Sequence, residues 1–165
     1  MLQWIAVYTK PRQEKIVLKS LIDRSFQAYL PLIRQKRKWS DRYKWIEVPL
    51  FKSYIFVKIA LKDNLNILKT NGVHHVVKFQ NQIATIPDIQ IESLKQMIEG
   101  GFEPHPTEYF IVGDNVEVGS GPLSGINGVV TRIDGIDRLI IKIDAIQHAV
   151  SVRIDRRYLK PYTKK

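Results

Sequence analysis

The hydrophobic period of this chain changes once, across "GGFEPHPTEYF" at residues 100–110, and that change constrains the fold more than any other feature. Before it, short β-prone runs alternate with segments of helical spacing. After it come only brief alternating runs divided by glycine-bearing turns. "WIAVYT" (4–9) predicts a strand. "PRQEKIVLKSLIDRSF" (11–26) places Val17/Leu21 and Leu18/Ile22/Phe26 at i,i+4 spacing, with Pro11 tolerated in a first turn, and predicts a helix. "QAYLPLI" reads as a second strand. "WIEVPLF" (45–51) and "SYIFVKI" (53–59) read as two more, split by a tight connection at Lys52, and "LKDNLNILKT" (61–70) as a short helix. "VHHVVKF" (73–79) and "QIATIP" (82–87) predict a hairpin across Gln80–Asn81. Asp88 suits the N-cap of "IQIESLKQMIE", whose Ile91, Leu94 and Ile98 share a face and which Gly100–Gly101 stops.

Beyond residue 110, "NVEV", "GVVTRI", "RLIIKID" and "AVSVRI" predict a small, strongly bent antiparallel barrel near the lower size limit for independent folding. The predicted class is therefore α+β. An N-terminal antiparallel sheet flanked by helices spans residues 1–99, an interdomain linker with little to bury spans 100–110, and a small β-barrel spans 111–165. Isoleucine, valine and alternation dominate the barrel strands, so the β state is expected there.

Charge narrows the partner. Lys+Arg number 26 against 16 Asp+Glu, a formal net of +10. Residues 1–60 hold 13 of these cations against 4 acids, +9, which leaves 13 against 12, or +1, for the rest. Such a one-sided basic field points to a polyanion, nucleic acid first and an anionic membrane surface second. The field peaks in "QKRKWSDRYKW" (35–45), where Lys36, Arg37, Lys38, Arg42 and Lys44 interleave with Trp39, Tyr43 and Trp45. Cations of this density track phosphates, while aromatics offer faces on which unpaired bases stack. The alternative is a covered hairpin with its charges solvated.

Most catalytic chemistry is excluded. There is no cysteine, hence no disulfide, thiolate nucleophile or Cys-based zinc site. His74, His75, His105 and His148 lack metal-ligand spacing, and adjacent His74 and His75 should point to opposite faces of a strand. No GxSxG elbow or P-loop occurs, and "GSGPLSGING" (119–128) precedes a strand rather than a helix. The expectation is a cytoplasmic monomer without enzymatic activity, cofactor or membrane span.

"PLFKSYIFV" (49–57) leaves two readings open. From Ser53, Ile55, Val57 and Ile59 share one face, and Tyr54, Phe56 and Lys58 the other. Either the strand is central and covered on both sides, or Phe51, Tyr54 and Phe56 leave an aromatic patch open for a partner protein.

The sequence resembles the NusG family of transcription elongation factors, and especially its RfaH-like, capsule-operon (UpxY-type) antiterminator branch. The resemblance rests on "W-x-x-x-Y-x-K" (Trp4, Tyr8, Lys10), "Y-L-P" (29–31), "P-L-F-x-x-Y-x-F-V" (49–57) and "G-V-x-H-x-V-x-F" (72–79). It extends through "V-G-D-x-V-x-V-x-x-G-P-L-x-G-x-x-G-V-V" (112–130), which is similar to the KOW motif of the family's SH3-like C-terminal barrel. It implies an N-terminal domain that binds the clamp helices of the largest RNA polymerase subunit through Tyr8, Leu50, Phe51, Tyr54, Phe56 and Phe79. It also implies that the basic stretch lies over the upstream fork and the non-template DNA strand. Lys10, Lys36, Arg37, Lys38, Arg42 and Lys44 are then the phosphate contacts, and Trp39 and Tyr43 the stacking residues. Asn71 and Ser40 replace basic residues of RfaH-like proteins, so a different sequence preference is expected. "DNLNILKT" stands where those proteins carry a His-Thr-Thr element. For the barrel, the resemblance implies a ribosomal protein or a termination factor as partner. Two other classes stay open on residue grounds: an RNA-binding or ribosome-associated KOW protein, which the near-neutral second half disfavours, and a basic nuclease.

Overall fold

In this computed structural model, residues 1–161 are described. They divide into two compact units, residues 1–88 and the chain from Ile89 onward. Residues 162–165 of the expected barrel domain lie outside the described residues.

The first unit is built on β1 (Gln3–Thr9), which pairs with three of the other four strands of its sheet. After it come α1 (Glu14–Asp23), β2 (Gln27–Tyr29), β3 (Leu32–Trp39), β4 (Arg42–Pro49) and β5 (Tyr54–Ile59). Then follow α2 (Asn64–Leu68), β6 (Val73–Val76), β7 (Lys78–Phe79), β8 (Gln82–Ile83) and β9 (Thr85–Ile86). The antiparallel sheet runs β2-β5-β1-β6, with β9 also on β1. Its register pairs Gln3 with Ile59 through Tyr8 with Tyr54. Alternation then assigns Ile5, Val7, Ile55, Val57 and Ile59 to one face, where they form a buried cluster with Val17 and Leu21 of α1 and Ile67 of α2. The helix α1 starts three residues later than its apolar spacing suggests, because Arg12 sits at φ 63°, outside the helical basin. Ile22, about 100° around the helix from buried Leu21, is exposed.

The hairpin across Gln80–Asn81 forms, with both residues at positive φ (50° and 63°) as a type I′ turn requires. It pairs only Lys78–Phe79 with Gln82–Ile83; the flanking Val73–Val76 and Thr85–Ile86 pair with β1 instead. Gly72, at φ 94°, leads into β6, and a Cβ there would meet Val17 Cγ2 at 2.7 Å.

The second unit opens with α3, which spans Asp88–Glu99 and buries Ile91, Leu94 and Met97. Then come β10 (His105–Thr107), β11 (Asp114–Val118), β12 (Asn127–Ile133), β13 (Ile136–Ile143), β14 (His148–Arg153) and β15 (Leu159–Pro161). They form an antiparallel sheet in the order β10-β14-β13-β12-β11-β15, around buried Val116, Val130, Leu139, Val150 and Val152. The β state expected for these strands is the one present. The linker of residues 100–110 departs from its expected form: His105–Thr107 pair with Ser151–Ala149 as an edge strand of this sheet. An edge tolerates Pro106, which has no N–H to donate. Polar contacts also tie α3 and the linker to the sheet. Gln90 Nε2 and Tyr109 Oη both donate to Asp144, at 3.1 and 2.6 Å, and Gln96 Nε2 donates to the carbonyls of Pro122 and Ser124. The unit boundary therefore precedes α3 rather than following it. No described helix is long and apolar enough to cross a membrane.

Candidate nucleic-acid interface and protein-docking patch

The basic stretch is the far half of a two-stranded ribbon. β3 and β4 pair through eight rungs, from Leu32–Pro49 to Trp39–Arg42, across a Ser40–Asp41 turn with Ser40 at φ 48°. Directly paired residues share a face, so the register sorts the ribbon into two surfaces. One carries Arg34, Lys36, Lys38, Tyr43, Trp45 and Glu47; the other carries Gln35, Arg37, Trp39, Arg42, Lys44 and Ile46. On the first, cations lean diagonally over rings: Lys36 Nζ lies 4.6 Å from the Tyr43 centroid and the Arg34 guanidinium 5.3 Å from that of Trp45. On the second, Arg37 stands directly opposite Lys44 with no acid on that face, a like-charge pair that an anion would relieve.

Trp39, Tyr43 and Trp45 are 63%, 61% and 56% exposed, so the ribbon is a hairpin whose aromatics lie largely open to solvent. The register separates the two expected stacking residues. Trp39 and Tyr43 face opposite ways, and the ring that shares a surface with Tyr43 is Trp45, accompanied by Arg34. A two-residue turn at Ser40–Asp41 was the sequence signal that would have fixed this register. Lys10 is exposed and lies just after β1 rather than on the ribbon strands, and its amide donates to the Gly72 carbonyl at 2.8 Å.

The expected docking residues fall into two groups. Leu50, Phe51 and Phe56 are buried, at 4%, 2% and 0% exposure, which corrects the picture of an open patch made of Phe51, Tyr54 and Phe56. The reason is local. Phe56 is paired with Ala6 on one side and Tyr29 on the other, and the small alanine leaves room for a second ring. The turn between β4 and β5 folds Phe51 back, its carbonyl accepting from the Tyr54 amide, so that Phe51 and Phe56 meet edge to face at 6.2 Å. The turn is pinned from α1: buried Glu14 accepts the Ser53 amide at 3.0 Å while Ser53 holds φ 68° and its carbonyl accepts the Thr9 amide. Glu14 is a structural residue that sequence reasoning missed; a lone acid in a helix's first turn looks like any dipole partner.

Tyr8, Tyr54 and Phe79 remain at the surface, Phe79 at 67% exposure. Tyr8 meets Tyr54 edge to face at 5.2 Å and stacks on His75 at 5.0 Å with a 26° interplanar angle. His74 and His75 do not diverge as alternation predicts. The ladder between β1 and β6 slips between Tyr8 and Thr9, and this irregularity brings the two rings together with Nδ1 atoms 2.7 Å apart. Burial and then the neighbouring His74 hold His75 below its ordinary pKa; burial and then Tyr8 push Tyr54 above the usual phenol value. The cluster presents two phenols and an imidazole favoured in its neutral form, a wet aromatic surface suited to protein contact. No group of three potential metal ligands occurs among the described residues.

An α+β unit carrying this ribbon and patch, followed by a β-rich unit, matches a known class. The sequence profile described as "Transcription termination factor nusG" fits residues 2–95, which places the chain among transcription factors. The chain belongs to the NusG family. The solved structure described as "Domain interaction in Thermotoga maritima NusG" is similar over 99% of this chain and 98% of its own, at 18% identity and a TM-score of 0.53, and shares the fold. Two structures described as "Crystal Structure of MjSpt4:Spt5 complex", conformations A and B, also align at 18% identity over 98% of this chain. They cover 99% and 97% of their own chains, with TM-scores of 0.28 and 0.29, too low to bear on the argument. No curated protein matches the chain.

Proposed function

We propose that this NusG-family chain is a transcription antiterminator of the RfaH-like, capsule-operon (UpxY-type) kind. It docks on the clamp helices of RNA polymerase and suppresses pausing and termination. The observation that carries the reading is the exposed ribbon, which sets three large aromatics and six cations on two faces where no packing explains them. On a transcribing polymerase its ligand is the unpaired non-template strand. Tyr43, Trp45 and Trp39 stack on bases while Arg34, Lys36, Arg37, Lys38, Arg42 and Lys44 neutralise phosphates, and Lys10 adds a contact from the end of β1. Tyr8, Tyr54 and Phe79 form the polymerase-facing surface, and Leu50, Phe51 and Phe56 form the rigid bed behind it. The factor performs no bond chemistry. Binding a closed clamp tenfold more tightly than an opened one shifts that equilibrium by about 1.4 kcal/mol, which lowers the population of paused enzyme. The second unit is the site for a ribosomal protein or a termination factor.

The test is capture of purified RNA polymerase by the full chain, followed by a single-round pausing assay. Capture with shortened pauses supports the reading. Absence of capture, or capture with pauses unchanged or lengthened, refutes it.

A further inference from the structure

The first turn of α1 carries two adjacent side chains that hold the joint between ribbon and sheet from both sides. Glu14 accepts the Ser53 amide just before β5, and Lys15 Nζ donates to the Glu47 carbonyl near the end of β4 at 2.7 Å. Between these anchors lie Val48, Pro49, Leu50, Phe51 and Lys52.

The rung that Lys15 holds is where packing gives out. At the base of the ribbon Leu32, Ile33, Val48 and Pro49 are half-buried, and the Leu50 amide donates to the Pro31 carbonyl at 2.9 Å. From Arg34–Glu47 outward the ribbon is exposed, apart from half-buried Ile46. The ladder also presents this carbonyl to the helix. In a hairpin closed by the two-residue turn Ser40–Asp41, the pair Trp39–Arg42 exchanges hydrogen bonds, and every second pair does likewise. Counting back, Arg34 and Glu47 form a pair whose backbone groups point away from each other. The Glu47 carbonyl therefore faces off the outer edge of β4, where Lys15 meets it.

An isolated two-stranded ribbon is held weakly by itself and can rock about its base. From the Arg34–Glu47 rung to the Trp39–Arg42 rung the strand advances five residues, about 17 Å at about 3.4 Å each, so a tilt of about 10° moves the tip by about 3 Å. That is a whole hydrogen-bond length, enough to take a cation off the phosphate it neutralises.

We propose that Lys15 is a positioning residue: its bond to the Glu47 carbonyl sets the angle at which the ribbon leaves the sheet. It thereby places the cations and rings of the ribbon relative to the Tyr8–Tyr54 surface, without touching nucleic acid itself. That this angle serves transcription rests on the antiterminator reading above; the angle itself does not.

The chain has no cysteine, so Asp41→Cys at the ribbon turn and Asn66→Cys on α2 take spin labels at those two places only. Electron–electron distance measurement on the full chain should give a narrow distribution. Lys15→Met, which keeps the stem and loses the donors, should broaden it by several ångström, and Lys15→Arg, which still donates, should restore most of it. Affinity of Lys15→Met for a short oligothymidylate should change less than about twofold, with the slope of log K against log salt intact, because the ribbon's own surface is untouched. An unbroadened distribution, or failure of arginine to restore it, would overturn the proposal. So would a slope lowered by about 0.7, the mark of a phosphate contact by Lys15 itself. A fall in the urea midpoint as large as that of Glu14→Ala would do the same, since Lys15 would then be holding the fold and not the angle. With polymerase, Lys15→Met should be captured as well as the parent and shorten pauses several-fold less; equal shortening would overturn its part in function. If the parent itself is not captured, the antiterminator reading falls and the distance measurement still decides the role of Lys15.

Discussion

Replacing Phe56 and Tyr54, two neighbours on one face of β5, should have opposite consequences. Phe56 is fully buried and in edge-to-face contact with Phe51, itself 2% exposed. Phe56→Ala therefore loses the transfer free energy of a whole ring and leaves a cavity against Ala6, at a cost of roughly 3–5 kcal/mol. That is a large part of the roughly 5–15 kcal/mol by which a domain is stable. In urea, with m near 2 kcal/mol/M, a 4 kcal/mol loss lowers the midpoint by about 2 M at constant m. Phe56→Leu keeps most of the volume and should cost under about 1.5 kcal/mol. Tyr54 is half-buried and meets Tyr8 at the surface, so Tyr54→Ala should cost about 1 kcal/mol of stability. In the proposed docking role the same change should weaken polymerase binding by at least about 2 kcal/mol, near thirtyfold. The assay pairs urea unfolding, followed by intrinsic fluorescence, with polymerase affinity of the folded fraction. An unchanged midpoint for Phe56→Ala or Phe51→Ala, together with lost polymerase binding, would show that these rings are free to dock. The packing account of β5 would then be wrong.

On the ribbon, Tyr43→Ala and Trp45→Ala should each lower single-stranded DNA affinity by about 1–3 kcal/mol with the salt slope intact, whereas removing Lys36, Arg37 and Lys38 should flatten that slope by about 2. Fluorescence titration at several salt concentrations separates the two, and a ribbon mutant set without effect would refute the assignment. His75 has a depressed pKa, so the unfolded chain takes up this proton first as pH falls below about 6.5. Its contribution to stability is accordingly present above that pH and lost as pH drops through the folded value; an NMR titration of His75 with a midpoint at or above 6.5 would contradict this. Glu14→Ala removes the buried acceptor of the Ser53 amide and should cost about 1–3 kcal/mol, while Glu14→Gln, which keeps an acceptor, should cost less; equal unfolding midpoints for the two would count against the pinning role.

Periodicity revealed most of the elements, because an alternating run or an i,i+4 stripe records burial directly. The core face Ile55, Val57 and Ile59 was legible in this way. Failures occurred where one residue broke the count. The slip at Tyr8/Thr9 turned His74 and His75 together, and Arg12 at positive φ delayed α1. The faces of the ribbon follow from a two-residue turn at Ser40–Asp41, a signal masked by the density of charge around it. Phe51 was the harder case: a loop residue has no period, and only the folded turn shows which way its ring swings. The linker misled for another reason. Two prolines and two glycines argue against a central strand, yet an edge strand needs few donors, and His105–Thr107 use that freedom.

Charge was legible on one scale and hidden on another. Summed over residues 61–165 the formal charge is only +1, a sum that hides how those charges pair. Binding responds to potential within about a Debye length, roughly 8–10 Å, so what counts is which charges remain unpaired inside that radius. Residue counting cannot supply this, because an aspartate neutralises the arginine it touches and not the one nearest in sequence. Asp137 lies next to Arg138 in the chain, yet its carboxylate bonds Arg156 and faces Arg132 across the ladder. Arg138 is left opposite Arg153. The same reasoning separates the two faces of the ribbon, one with Glu47 and two cation–ring contacts, the other with Arg37 against Lys44 and no acid. If cross-strand partnership decides, charge removal on the second face should raise the melting temperature slightly while weakening DNA binding, and the same change on the first face should lower both. Equal thermal shifts for Lys44→Gln and Lys36→Gln would show that total charge, rather than its pairing, governs this surface.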